Sequence, residues 1–195
     1  MDYIIRQIQD SIEAKKRILK NNILLEKIDS AISVIVASYK NNGKILLAGN
    51  GGSSSDAQHL AGELVNRFYI NRPGLPAIAL TSDSAVITAI ANDYSYDVIF
   101  SKQLQALGSS GDVFIGISTS GNSKNIINCF EICKKKNIYS IGFTGDTGGL
   151  MEQECDLCIT VPSAITPRIQ ESHIMIGHII CQRVEELLFS KVNND

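Results

Sequence analysis

His59 and Glu63 stand four residues apart, directly after the stretch Gly49-Asn50-Gly51-Gly52-Ser53-Ser54-Ser55. On a helix that spacing projects both side chains from one face, just above the glycine turn. A ring nitrogen and a carboxylate so placed suit a zinc ion or a proton-transfer pair. A lone His59 would be an ordinary helix residue; its pairing with Glu63 beside a glycine-rich turn is what points to chemistry. A second run, Ser118-Thr119-Ser120-Gly121-Asn122-Ser123, carries hydroxyls around a glycine. Glycine lets backbone approach closely, hydroxyls donate hydrogen bonds, and free N–H groups at a helix start favour negative charge. Either run alone could merely cap a helix and fill a turn. Two of them in equivalent positions imply a phosphate.

These residues need elements that bring them together. Short, nearly unbroken apolar runs occur at Lys44–Ala48, Pro76–Leu80, Val113–Ile117, Tyr139–Phe143 and Leu157–Val161. They read as strands buried on both faces, and the helical stretches between them indicate a parallel sheet in a three-layer α/β sandwich. Both Gly/Ser runs follow such a strand and precede a helix, over Ser55–Phe68 and Lys124–Lys135, so they lie where ligands bind in this kind of sheet. From Ile4 to Ser38 apolar residues recur at helical spacing, as one long or two shorter helices. A last helix is expected from Thr166, as its cap, with Pro167 at the first helical position, to about Leu188.

Composition narrows the partners. With 18 Lys and Arg against 20 Asp and Glu, the 195-residue chain has a net charge of −2, unlike the basic field of a nucleic-acid binder. No apolar run has the length of a membrane span, and the first residues lack an export signal, so a cytoplasmic protein is expected. Five cysteines fit reduced thiols. Cys155 and Cys158 have the spacing of half a zinc site or of a redox pair, but Leu157–Val161 reads better as a strand burying Cys158. Cys129, Cys133 and Cys181 read as packing residues. The partial match of Gly49–Ser54 to a dinucleotide fingerprint lacks its third glycine and its acidic residue about twenty positions on, and neither loop has a Walker pattern, so no nucleotide cofactor is expected.

The Ser118–Ser123 loop resembles the phosphosugar-binding loop of SIS (sugar isomerase) domains. Gly49-Asn50-Gly51-Gly52-Ser53 with His59-Leu60-Ala61-Gly62-Glu63 resembles the phosphoheptose isomerase branch, which acts on sedoheptulose 7-phosphate. Ala91-Asn92-Asp93-Tyr94, Gly142-Phe143-Thr144-Gly145, Gln170-Glu171-Ser172-His173 and His178 continue the match in order over almost the whole chain. The resemblance implies one SIS domain of Rossmann-like topology over residues 1–195, with 3–38 a helical oligomerisation segment. It implies a homotetramer with active sites at subunit interfaces, a sugar phosphate as small-molecule partner, and neither nucleic acid nor membrane. One zinc per subunit would be held by His59, Glu63, Gln170 and His178. Glu63 would shuttle a proton between two carbons, His178 would move protons on the oxygens, and Ser118, Thr119, Ser120 and Ser123 would hold the phosphate. Asn50, Gly51, Gly52, Asn92 and Asp93, with Glu63 and Gln170, would contact the sugar, although Asp93 equally suits a turn cap. Other proteins of this fold sense a phosphosugar or bind a partner such as a replication initiator without catalysis; the presence of Glu63, His178, His59 and Gln170 favours an enzyme.

Gln170 and His178 pose a geometric problem. On one straight helix they lie about 12 Å apart along the axis and about 80° apart around it, and Gln170 would have to lean against the usual N-terminal tilt. Either the two residues of one site come from different subunits, or the helix is distorted. His173 falls on another face and reads as structural. Arg67, Arg72 and Arg168 receive no role.

Overall fold

The computed structural model describes residues 1–190; the last five residues of the expected 1–195 domain lie outside them. The amphipathic N-terminal segment is two helices, α1 (Asp2–Leu19) and α2 (Asn22–Lys40), divided where the Asn21 side chain accepts from the Leu24 N–H and caps α2. There follow β1 (Ile45–Gly49), α3 (Gly52–Val65), β2 (Ala77–Ala79), α4 (Ser84–Asp93), a short 3-10 turn at Tyr96–Val98, α5 (Ile99–Leu107), β3 (Val113–Ile117), α6 (Lys124–Lys136), β4 (Tyr139–Thr144), α7 (Met151–Glu154), β5 (Leu157–Thr160) and α8 (Thr166–Phe189). All five strands are parallel, in the order β2-β1-β3-β4-β5.

The runs at β1 and β3 are buried on both faces throughout and β4 nearly so, whereas β2, at the sheet edge, is only half-buried over Ala77–Ala79 and β5, at the other edge, is buried only at its centre. Ile45 and Leu47 pack into one core with α2, α3 and α8, while Leu46 and Ala48, pointing the other way, pack into a second with α5 and α6. Cys129, Cys133, Cys158 and Cys181 are buried, Cys155 is half-buried, and all five are free thiols. Among the described residues no group of three metal-ligating side chains includes the Cys155–Cys158 pair.

Two helix boundaries differ from the sequence expectation. The helix expected over Ser55–Phe68 starts at the third glycine of the turn, Gly52, and stops at Val65. It stops because Phe68, Tyr69 and Ile70 donate their N–H groups to the Glu185 carboxylate, not to the preceding turn. α8 is capped by Ile165, with Thr166 and Pro167 already in its first turn, while the Ser163 hydroxyl accepts from the Ile165 N–H.

The order of the strands places the site. Chain direction across the sheet reverses between β1 and β3, where neighbouring connections leave on opposite faces and open a crevice beyond the carboxyl ends. The Gly49–Ser55 turn follows β1 and the Ser118–Ser123 loop follows β3, so both runs singled out by composition flank this one crevice.

His173 is a core residue of α8. Its side chain is buried, Nε2 lies 3.0 Å from the Thr144 carbonyl, and Nδ1 has no partner. Burial pulls its pKa down to about 4, against the smaller opposing effect of the Thr144 hydrogen bond. The unfolded chain takes up that proton near 6.5, so between the two values it binds more protons than the native state. The stabilisation is complete above about pH 6.5 and is lost as pH falls toward 4, by about 3 kcal/mol. Urea unfolding of wild type and His173→Gln at pH 7 and pH 4.5 should show a shallower acid loss in the variant; equal losses would remove His173 from the account.

Candidate active site

α3 and α8 lie side by side in the same direction. A Cβ on Gly177 would meet Leu60 side-chain carbons 2.6–2.7 Å away, and a Cβ on Gly52 would meet the Gln170 amide nitrogen at 2.5 Å. Positions 52 and 60 therefore run alongside 170 and 177 with matching rise. Glycine at 177 suits this approach, since a Cβ there would press into the Leu60 side chain and force it to move.

This register brings His59 and Glu63 of α3 against His178 of α8. His59 Nε2 is 2.9 Å from His178 Nε2 and 3.3 Å from Glu63 Oε1. One donor atom from each of the three lies within 4.8 Å of the others. Two imidazole nitrogens facing each other at this distance need a proton or a cation between their lone pairs. Glu63 and His178 are half-buried and the His59 side chain is 50% exposed, so the group opens to solvent on one side. Three nitrogen and oxygen donors with an open side suit a zinc ion of the catalytic type, which keeps a position for water or substrate. The Phe68 ring lies 5.7 Å from the His178 ring, tilted against it by 46°.

Gln170 stands apart from this trio, with its amide over Gly52 at the start of α3. Eight residues of a continuous helix separate it from His178, the spacing that raised the geometric problem in the sequence.

The phosphate-type loop is preorganised. Ser118 Oγ lies 2.8 Å from Ser123 Oγ and 3.4 Å from Ser120 Oγ, so three hydroxyls converge. Gly121 makes the bend at φ 66°, and a Cβ there would collide with the Gly148 carbonyl. Packing from the 145–151 segment fixes the loop further. The Gly145 N–H donates to the Thr119 carbonyl, the Met151 N–H to the Gly121 carbonyl and the Leu150 N–H to Asn122 Oδ1.

The two loops are joined by a reciprocal amide pair in which Asn50 and Asn125 each donate to the other at 2.9 Å. The Tyr96 hydroxyl also donates to Asn50 Oδ1. Gly51 caps α3 with φ 55° and has open space around it. Asn92 and Asp93 end α4 and face solvent, hydrogen-bonded to each other. The Asp93 carboxylate here accepts from the Asn92 amide, and Tyr96, three residues on, links this segment to Asn50.

Sequence reading passed over several residues of this region. Asn125 and Tyr96 hold Asn50, and Asn125 had a visible signal as a polar residue on the first turn after the hydroxyl loop. Asp56, one turn before His59, has a buried carboxylate oxygen without a partner. Burial raises its pKa and the neighbouring His59 offsets this in part.

A family model described as SIS domain matches residues 7–145. The chain is 60% identical over 188 residues to a protein named phosphoheptose isomerase from Aneurinibacillus thermoaerophilus, spanning 96% of this chain and 95% of that one. It is 58% identical over 189 residues to phosphoheptose isomerase 2 of Campylobacter jejuni, spanning 97% and 94%. Among solved structures, the phosphoheptose isomerase of Neisseria gonorrhoeae superposes with a TM-score of 0.89 at 40% identity, over 95% of this chain and 98% of that one. That of Francisella tularensis does so with 0.91 at 39%, over 95% and 97%. Alike in sequence and in fold over nearly its whole length, the chain belongs to the SIS domain family, in the phosphoheptose isomerase branch.

Proposed function

We propose that this chain is an aldose–ketose isomerase that converts sedoheptulose 7-phosphate to D-glycero-D-manno-heptose 7-phosphate, supplying heptose for bacterial lipopolysaccharide or capsule. The observation that carries the reading is the meeting of His59, Glu63 and His178, from helices far apart in sequence, in a molecule whose switch-point crevice also bears a preformed hydroxyl loop. The chemistry moves a carbonyl from C2 to C1. A base takes the proton from C1, an enediol(ate) forms, and the proton returns to C2 while oxygen-bound protons move from one oxygen to the other.

Glu63 is the carbon base and His178 the acid/base on the oxygens. Ser118, Thr119, Ser120 and Ser123 hold the phosphate, and Asn50, Gly51, Gly52, Asn92 and Asp93 contact the sugar. His59, Glu63 and His178, with Gln170, would hold a zinc ion, one per subunit. When bound, zinc supplies a positive charge that polarises the carbonyl. A carboxylate engaged by metal is a weaker base, so Glu63 works on carbon with at least one oxygen free.

We also propose that the active protein is a cytoplasmic homotetramer in which residues 3–38 are an oligomerisation segment and the sites lie at subunit boundaries. Tyr3, Ile4, Ile5, Ile8 and Ile12 on α1 are 46–72% exposed, a stripe too long for an isolated chain to leave in water. No described helix is long and apolar enough to cross a membrane. Gln170 lies by Gly52 and His178 by His59, which supports the view that one chain's Gln170 and His178 serve different sites.

Adding sedoheptulose 7-phosphate with zinc to the purified protein and following the sugar by NMR should show the heptose 7-phosphate appear; saturable binding without conversion would make the protein a sensor instead. Glu63→Gln and His178→Ala should each lower kcat by about 10²–10⁴-fold with the fold intact, and near-normal turnover in either would remove its role. Ser120→Ala should raise KM by about tenfold and change kcat little; a large loss at saturation would make phosphate positioning part of the chemical step. Tetramers assembled from Gln170→Ala and His178→Ala chains together should regain turnover, because some sites then receive neither lesion. Failure to regain any would place both residues of a site on one chain.

A further inference from the structure

We infer that Arg72 and Glu185 are positioning residues for the reaction, a buried clamp that fixes Glu63 and His178 relative to each other; the inference rests on the isomerase reading above. Neither residue belongs to the trio, and both side chains are only 1% exposed. A charge so deep persists only where every hydrogen-bonding position is used, and here the partners lead to the two proton-transfer groups.

Arg72 faces α3. Its Nε donates to Glu185 Oε2 at 2.8 Å, one terminal nitrogen donates to the Leu64 carbonyl at 2.8 Å, and the other donates to the Glu63 carbonyl at 3.1 Å. The last carbonyls of a helix have no partner within it. The guanidinium supplies that partner and places a positive charge at the negative end of the helix dipole. The backbone of Glu63 itself is thereby held, at the point from which its side chain reaches the trio.

Glu185 faces the loop after α3. One carboxylate oxygen accepts from the N–H groups of Tyr69 and Ile70, both at 2.6 Å, and the other accepts from the Phe68 N–H at 2.9 Å and from Arg72. Burial alone would raise the Glu185 pKa, but these four donors outweigh it and hold the carboxylate below its usual range. The Phe68 backbone is pinned in this way, and its ring rests against His178. Glu185 follows His178 by seven residues, two turns along the same stripe of α8. One helix face therefore carries the imidazole and also the anchor of the ring that confines it.

The clamp closes a circuit: Glu63 to Arg72 through its carbonyl, Arg72 to Glu185, Glu185 to Phe68, and Phe68 to His178. A displacement of about 1 Å at a reacting group costs on the order of 10²-fold in rate. Loosening the circuit should thus lower turnover in molecules that remain folded, and a purely structural ion pair would not do this.

The test uses the full chain carrying Glu185→Gln, Arg72→Lys or Phe68→Leu, the last leaving the ion pair untouched. Urea unfolding establishes that each is folded at the assay temperature. Among folded variants kcat should fall by ten- to a hundredfold while KM stays within about threefold, because the hydroxyl loop after β3 is not in the circuit. Binding of cobalt(II), followed by its visible absorption without substrate, should weaken by about tenfold with an altered spectrum, since His178 and Glu63 are two of the donors. A folded variant with kcat and cobalt affinity both within twofold of wild type would overturn the clamp. Should either ion-pair variant fail to fold, Phe68→Leu decides the matter by the same two readouts. Wild type that binds cobalt but converts no sugar would instead defeat the isomerase reading, and the cobalt titrations would still judge the clamp.

Discussion

The close, parallel contact of α3 with α8 is the constraint on which the site depends. Both helices follow parallel strands, β1 and β5, and both leave from the carboxyl edge of the sheet, so their directions agree. Gly177 lets α8 approach Leu60 until little space remains between backbone and side chain. At that separation His59 and His178 must face each other, and Glu63, one turn further along α3, joins them. A methyl group at position 177 would press first on the Leu60 side chain and on no member of the trio. The approach of the two helices, and with it the spacing of the trio, thus rests in part on a residue outside the trio.

The phosphate end is built on a different principle. Its hydroxyl loop makes its bend at a glycine with positive φ and is braced by the 145–151 segment, with the carbonyls of Ser118, Thr119, Ser120, Gly121 and Ser123 each accepting a hydrogen bond within the chain. What the loop offers an anion is its N–H groups together with the converging Ser118, Ser120 and Ser123 hydroxyls, whose hydrogens can reorient at little cost. Rigid backbone with rotatable donors suits a group that must be held equally in substrate, enediolate and product. On the proposed roles, discrimination between those states falls to the half-buried trio.

Much of this was legible in the sequence, because the informative features are local. A strand buried on both faces announces itself by an unbroken apolar run, as Ile45–Ala48 does, and the Gly/Ser turns mark both sides of the switch point. His59 with Glu63 is visible as an i,i+4 pair. The places where reading failed depend on distant partners. The end of α3 could not be found from Val65–Phe68, because it is decided by a carboxylate 117 residues away from Phe68. Gln170 has no local mark, since a glutamine on an amphipathic helix is unremarkable until Gly52 is placed beside it. Glu185 and Glu186 are adjacent and identical in type, yet Glu185 is buried under four donors while Glu186 lies at the surface with Gln182 and Arg183. No periodicity argument separates them, because the difference is made by the loop that folds over one of them.

The openness of the trio is itself informative about the chemistry. An enediolate and a carboxylate base are both strongly hydrated in water, and fixed dipoles act on them strongly only where water is excluded. In the single chain the His59 side chain is half exposed, and apolar residues near the trio in sequence, Val65, Tyr69 and Ile179, stand 51%, 70% and 45% exposed. The proposed clamp meets the positional part of this requirement: Arg72 and Glu185 would hold the backbone of Glu63 and of Phe68, so that the outer side can be left open for substrate and for whatever surface completes the site. Such a division places preorganisation in the chain's own core and leaves exclusion of water to its surroundings. A site of this kind can therefore have its reacting groups correctly spaced in one chain before the environment they act in is complete.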